Sequence, residues 1–296
     1  MFWRRLQDLF STGLMRFALA LANLLVVLIV VGLVWKSWPI LSLKTLPDLL
    51  LGTAWQPLKG NFGFLPFIVG TLEVTAIAML LAGPISLLTA IYLSEYAPYR
   101  LARVVRPVID LLAGIPSVIF GFWGVLVVVP AVRSLAQAVG VRSTGYSLLS
   151  GSIVLAIMVF PVIISVAVEV LRSVPTEARE AALALGATRW ETVKHVLLRS
   201  ALRGILAAVV LGFTRALGET MAVLMVVGNV VKIPRSIFDP AYPLPALIAN
   251  NYGEMMSVPL YDSALLLAAL ILLVVVAGFN LVARLTLRGI ERGWRT

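Results

Sequence analysis

The sequence predicts an all-α integral membrane protein with six transmembrane helices. Of 296 residues, 60% are hydrophobic and 13% are charged, whereas soluble chains sit near 45–50% and about 25%. Six stretches reach the roughly 20 mostly apolar residues that a bilayer-spanning helix needs. The cationic residues are also unevenly distributed: 16 of the 24 Lys and Arg fall in the N-terminal arm, the second and fourth connections and the C-terminal tail. Basic residues gather on the cytoplasmic side of membrane helices, so both termini are expected there.

The first span is predicted at 14–35. Its "ALALA" resembles a signal-peptidase site but lies inside the apolar run, so a retained helix is expected. The second, 65–93, contains Glu73 two turns from its start, which either lines a path, pairs with an arginine or snorkels to the interface. The third, 108–130, opens at Asp110, a possible start cap. Within it, Pro116 with Gly114, Gly121 and Gly124 signals either a packing kink or a broken helix whose N–H groups, with the Ser117 hydroxyl, face an anion. The fourth, 148–170, carries Glu169 near its end. The fifth and sixth are predicted at 204–227 and 262–285. An outer connection over 228–261 is rich in Pro and Asn, and its amphipathic segment after Pro245 is read as an outer gate, a landing surface or a headgroup-level loop.

Several chemistries are excluded. The chain has no cysteine and a single histidine, His195, so disulfides, thiolate sites and His clusters are impossible. No Gly-Lys dipeptide exists from which to build a nucleotide P-loop. The net charge of +10 follows the topology pattern, which argues against a nucleic-acid partner.

The cytoplasmic connection reads "SVPTEAREAALALGATRWETVKHVLLRSALRG" from Ser173. Pro175 suits a helix start, Gly186 a C-terminal cap, and Thr188 with Glu191 a capping box that opens a second helix. Ala181 and Ala182 leave one face flat for a close approach. Within the fifth span, "GFTRALGETMAV" sets Arg215 and Glu219 four residues apart, on one face of a continuous helix. An unpaired charge at mid-bilayer costs about 2.5–3.5 kcal/mol on insertion scales. The pair is therefore either a mutually neutralised buried couple or the lining of a polar path, to which Thr214 and Thr220 add hydroxyls.

"EAALALG" resembles the EAA motif of the membrane subunits of bacterial ABC importers, with Glu180, Ala181, Ala182 and Gly186 at the motif's positions. Arg199 stands where that family usually has proline, which leaves the bend into the fifth span open. "TRALGETMAVLMVVGN", "WQPLKGNFGFLPFIVGTLEVT", "AIYLSEYAP" and "LLAGIPSVIFGFWG" are similar to the PstC-type permeases of phosphate ABC importers. The likeness runs from about Trp55 towards the C-terminus.

That resemblance implies a type I ABC importer transmembrane domain without catalysis of its own. It divides the chain into an arm, first span and outer loop (1–60), a permease core (61–290, coupling loop about 173–203) and a tail (291–296). The implied partners are a PstA-like second permease, a PstB-like ATPase dimer that binds the ATP and magnesium, a PstS-like extracytoplasmic binding protein, and membrane lipid. Substrate-path residues would be Arg215, Glu219, Thr214, Thr220, Glu73 and Ser117, with Glu219 neutralising Arg215 until phosphate displaces it. Glu180, Ala181, Ala182 and Gly186 would engage the ATPase. Competing expectations are a permease for molybdate or sulfate, and a proton-coupled carrier using Glu73 and Glu219.

Overall fold

The computed structural model describes residues 2–254 and 258–293. The end of the expected tail, 294–296, lies outside them. Among the described residues, six helices are long and apolar enough to cross a bilayer: Phe10–Leu43, Leu65–Tyr96, Ser117–Ala138, Leu148–Arg172, Arg189–Gly218 and Tyr261–Thr286.

Helix α1 (Phe2–Leu43) precedes a short α2 (Leu46–Leu51) and a two-stranded hairpin, β1 (Trp55–Gln56) with β2 (Asn61–Phe62). Helix α3 (Leu65–Ile91) ends in a π-helical turn, Tyr92–Tyr96. Then come α4 (Tyr99–Gly114) and α5 (Ser117–Trp123), which runs through a π-turn, Gly124–Val128, into α6 (Val129–Ala138). Helix α7 (Leu148–Arg172) leads to α8 (Thr176–Ala184) and α9 (Arg189–Thr192). A third π-turn, Val193–Leu197, joins α9 to α10 (Leu198–Gly218), followed by α11 (Met221–Val226), α12 (Leu244–Asn251) and α13 (Tyr261–Gly293).

The core is built on α7. Helix α3 packs along it, and so does α10, whose buried small residues (Ala201, Ala208, Gly212, Ala216) let its backbone approach closely. A Cβ placed at Gly212 would stand 2.6 Å from the Ile163 side chain and 3.0 Å from that of Val159, so glycine is required there. At the α12 end of the bundle an aromatic cluster closes the core: Trp55 meets Phe62, Phe64 and Phe67 edge-on at 5.1–5.5 Å. The hairpin in "WQPLKGNFGF" thus serves as a plug between α1, α3 and α13, with the Lys44 ammonium donating to the Gly60 carbonyl.

Three expectations are corrected. The third span starts at Ser117, not 108, because Ile115 and Pro116 are both extended (ψ 130° and 139°). Proline lacks an N–H and disfavours helix at the residue before it. The preceding α4 carries Arg100, Arg103, Arg106 and Asp110, too many charges for a span, and Asp110 lies inside this helix instead of capping the next. The fifth span likewise ends at Gly218. The segment after Pro245 is not a surface loop: the first half of α12 is buried against α3 and α13, and the Leu244 N–H donates to the Thr71 hydroxyl at 2.8 Å.

The connection between α11 and α12 folds over the start of α7. Leu148 and Leu149 N–H groups donate to the carbonyls of Asp239 and Ile237, both at 2.8 Å, satisfying donors that a helix start leaves free. The loop is itself organised by Asp239, whose carboxylate accepts the Arg235 N–H at 3.0 Å and lies 3.7 Å from the Lys232 ammonium. The Arg235 bond, with the lysine's charge, holds this carboxyl below its ordinary range.

Candidate functional site: a charged helix break at mid-span

Gly212 sits against Val159 and Ile163, the middle of the 25-residue α7. Arg215, three residues on, is therefore about 5 Å along the axis from mid-span, at 1.5 Å rise per residue. Its residue is exposed, as are Ala207, Leu211 and Gly218 along the same side of α10. This side is left open by the chain's own helices.

Glu219 does not stand one helical turn from Arg215. The helix stops at Gly218, and Glu219 is extended (φ −71°, ψ 128°). Its Oε1 accepts the backbone N–H of Thr220 at 3.2 Å and of Ala222 at 3.5 Å, so the carboxylate caps α11. Among the described residues no ion pair joins the two side chains. The expected neutralised couple is replaced by a capped break with a guanidinium on one side of it. The physical reason lies in the sequence itself: Gly218 weakens the helix, and an acidic residue is favoured where a new helix begins.

The hydroxyls divide. Thr220 Oγ1 donates to the Gly218 carbonyl at 3.2 Å, bracing the break. Thr214 Oγ1 is shared between the Val210 carbonyl (2.9 Å) and Asn280 Oδ1 (3.1 Å), which ties α10 to α13 beside the stacked Phe213 and Phe279 rings, 3.7 Å apart. Asn280 is a residue the sequence reading passes over, although a lone amide in "VVVAGFNLVA" signals it.

Ser117 opens α5, directly after the Ile115–Pro116 break. Helices α5 and α11 run in the same direction and touch where Gly121 meets Ala222 and Met225. Ser117 is one turn before that contact, and the Glu219–Thr220 break is just before α11. The two breaks therefore open at one depth. Glu73 lies elsewhere. It lines a cavity of about 280 Å³ beneath the α11–α12 loop, with Leu148, Arg235 and Ile237, and its Oε2 is buried without a hydrogen-bond partner.

At the opposite end, α8 and α9 form the expected helix–break–helix. Gly186 is left-handed (φ 85°), and the Ala187 N–H donates to the Ala182 carbonyl at 3.1 Å. The capping box is formed: the Thr188 N–H donates to Glu191 Oε2 at 2.8 Å, and the Glu191 N–H to Thr188 Oγ1 at 3.2 Å. Glu180, Ala181 and Gly186 are exposed, Ala182 is half-buried, and Leu185 is 90% exposed. Despite Arg199, α9 continues into α10 through the π-turn without a break.

Residues 82–296 match the family described as the binding-protein-dependent transport system inner membrane component. The chain belongs to this permease family. It is therefore a multi-pass protein of the inner membrane and a transport component. A probable ABC transporter permease, YqgH, of Bacillus subtilis (strain 168) is 40% identical over 239 residues, 80% of this chain and 76% of the relative. The phosphate transport system permease protein PstC of Xylella fastidiosa (strain 9a5c) is 37% identical over 300 residues, 96% of this chain and 92% of its own. Among solved structures, a chain of a bacterial ABC transporter that imports the acidic polysaccharide alginate superposes with a TM-score of 0.61 at 18% identity, covering 97% of this chain and 99% of its own. A chain of the inward-facing MetNI methionine transporter gives 0.58 at 22%, covering 75% and 93%. These two establish the fold of the permease as that of ABC importer membrane subunits.

Proposed function

We propose that this chain is one of two permease subunits of an ATP-driven phosphate importer and that Arg215 receives the anion in transit. One observation carries the reading: a guanidinium stands at mid-span on the helix side that the chain's own packing leaves open, with the neighbouring carboxylate engaged elsewhere. A planar guanidinium offers paired N–H donors to two phosphate oxygens. The relatives named for phosphate transport support the choice of anion. A second permease covering the open side of α10 completes the path, and separation of the two halves releases the ion. Ser117 and Thr220 stand close enough in depth to contribute hydroxyls. Glu73, under the opposite loop, belongs to the entrance.

In this reading both termini are cytoplasmic, because the connections holding 16 of the 24 basic residues lie on that side. Exposed Glu180, Ala181 and Leu185 then face an ATPase that supplies the nucleotide and magnesium. The α12 side faces the extracytoplasmic binding protein.

The test is uptake by proteoliposomes containing the assembled importer, with sulfate and molybdate as competitors. Wild type should accumulate phosphate on ATP addition, unaffected by either competitor in equimolar amount. Arg215→Gln should lose about tenfold or more of the rate, in line with the loss of one charge-assisted bidentate contact, while assembly is unchanged. Wild-type uptake by Arg215→Gln would overturn the role of the arginine. Uptake of sulfate or molybdate in preference to phosphate would overturn the substrate.

A further inference from the structure

Three elements meet at the α8 end of the bundle: the π-turn that closes α3, the last turn of α7, and α8. Arg172 of α7 donates from Nη2 to the Leu93 carbonyl in the π-turn at 3.2 Å. Arg179 of α8 reaches back, its Nη2 donating to the Leu171 carbonyl at 2.7 Å and pairing with Glu95 Oε1 at 3.1 Å. The Ser94 hydroxyl donates to the same Oε1 at 2.6 Å, orienting the carboxylate. Below them Leu93, Leu171, Val174, Val193 and Leu197 are buried together.

The attachment of α8 is otherwise slight. None of its residues is buried. Among the described residues, Arg179 is the α8 side chain that makes hydrogen bonds or an ion pair. Its side chain is 21% exposed and that of Glu95 14%, so the pair is largely shielded from water and from salt. Such charge-assisted bonds are roughly twice as strong as neutral ones. The π-turn contributes too: an extra residue in the last turn of α3 shifts the carbonyls there out of the α ladder, and Arg172 takes one of them.

Resting on the reading above, we propose that the Arg179–Glu95 pair is the strut that transmits displacement of α8 to α3 and α7, so that ATP-driven motion of the docking segment reaches the membrane helices. Without it α8 can follow the ATPase while the bundle stays behind. Arg179 and Glu95 are positioning residues: they touch neither the solute nor the nucleotide.

The experiment measures solute uptake and ATP hydrolysis on the same proteoliposomes of the assembled importer. Arg179→Glu and Glu95→Arg should each keep hydrolysis within about twofold of wild type and lower uptake per ATP by roughly tenfold, as expected for a directly coupled charge pair. The double exchange Arg179→Glu/Glu95→Arg should recover at least about one third of the ratio, incompletely because the bond to the Leu171 carbonyl is not remade. Glu95→Gln, which keeps the bond from Ser94 and the side-chain shape, decides the matter if a reversed variant does not assemble. Its uptake per ATP should fall, and a wild-type ratio overturns the strut. So do wild-type ratios in both single reversals, or an assembled double variant no better than the worse single. The wild-type control separates the two claims: if it carries another solute in place of phosphate, the substrate assignment fails and the ratio is measured with that solute.

Discussion

Glu219 shows how a residue can be placed correctly and its partner wrongly. A carboxylate four residues from an arginine in an apolar run reads as a pair, because continuous helix brings i and i+4 together. The chain ends the helix one residue earlier, and backbone N–H groups compete for the carboxylate and win it. What was legible was the position of the charges; what was not was which donors would be unsatisfied, since that depends on where the ladder breaks. The two roles separate experimentally. Glu219→Gln keeps an acceptor oxygen for the Thr220 and Ala222 N–H groups and should retain at least about half of wild-type uptake, whereas Glu219→Ala should lose most of it with loss of a cap. If Glu219→Gln were as defective as the alanine variant, the negative charge itself would be what matters, and the capping role would fall.

At the scale of elements, hydropathy locates four of the spans to within a few residues at one or both ends, because twenty apolar residues in a row have few alternatives, and it runs the fifth past the break at Gly218. It misplaces the third at its start, since "VIDLLAG" is apolar enough to be drawn into the run although it ends an amphipathic helix. The burial of α12 was equally illegible: eight residues carry too little pattern to tell a surface helix from one tucked between α3 and α13. Gly212 of the fifth span packs directly against the Val159 and Ile163 side chains of α7. Gly212→Val should force the α10 and α7 backbones apart and destabilise the protein by about 1–3 kcal/mol, as overpacking does. Thermal unfolding in detergent would show a lowered Tm, partly restored by pairing the change with Ile163→Ala. An unchanged Tm would mean that α10 and α7 are not in contact there.

For the whole molecule, the proposed roles of the two ends of the bundle rest on the charge pattern along the connections and on the EAA-like motif, two signals carried by side chains that face water. The open side of α10 was beyond reach of any pattern, being defined by what the other helices do not cover. The absence of cysteine makes the arrangement directly testable. Leu185→Cys in α8's cap and Val141→Cys in the α6–α7 connection should label with a membrane-impermeant maleimide from opposite sides, Leu185→Cys from the cytoplasmic side. Assembly with the ATPase should protect Leu185→Cys and leave Val141→Cys reactive. Labelling of both from the same side would refute the six-span topology.

The π-turn at Val193–Leu197 acts as a protractor. One added residue in an α-helix swings everything beyond it by about 100° relative to what precedes it. The compass bearing of the Arg215 guanidinium is thus set some twenty positions earlier, where α9 leaves the helix pair at the water's edge. Were that single-residue surplus absent, the same arginine would take the direction that Thr214 now takes, towards Asn280 of α13, and the bundle would have the same sequence of helices around a differently aimed charge.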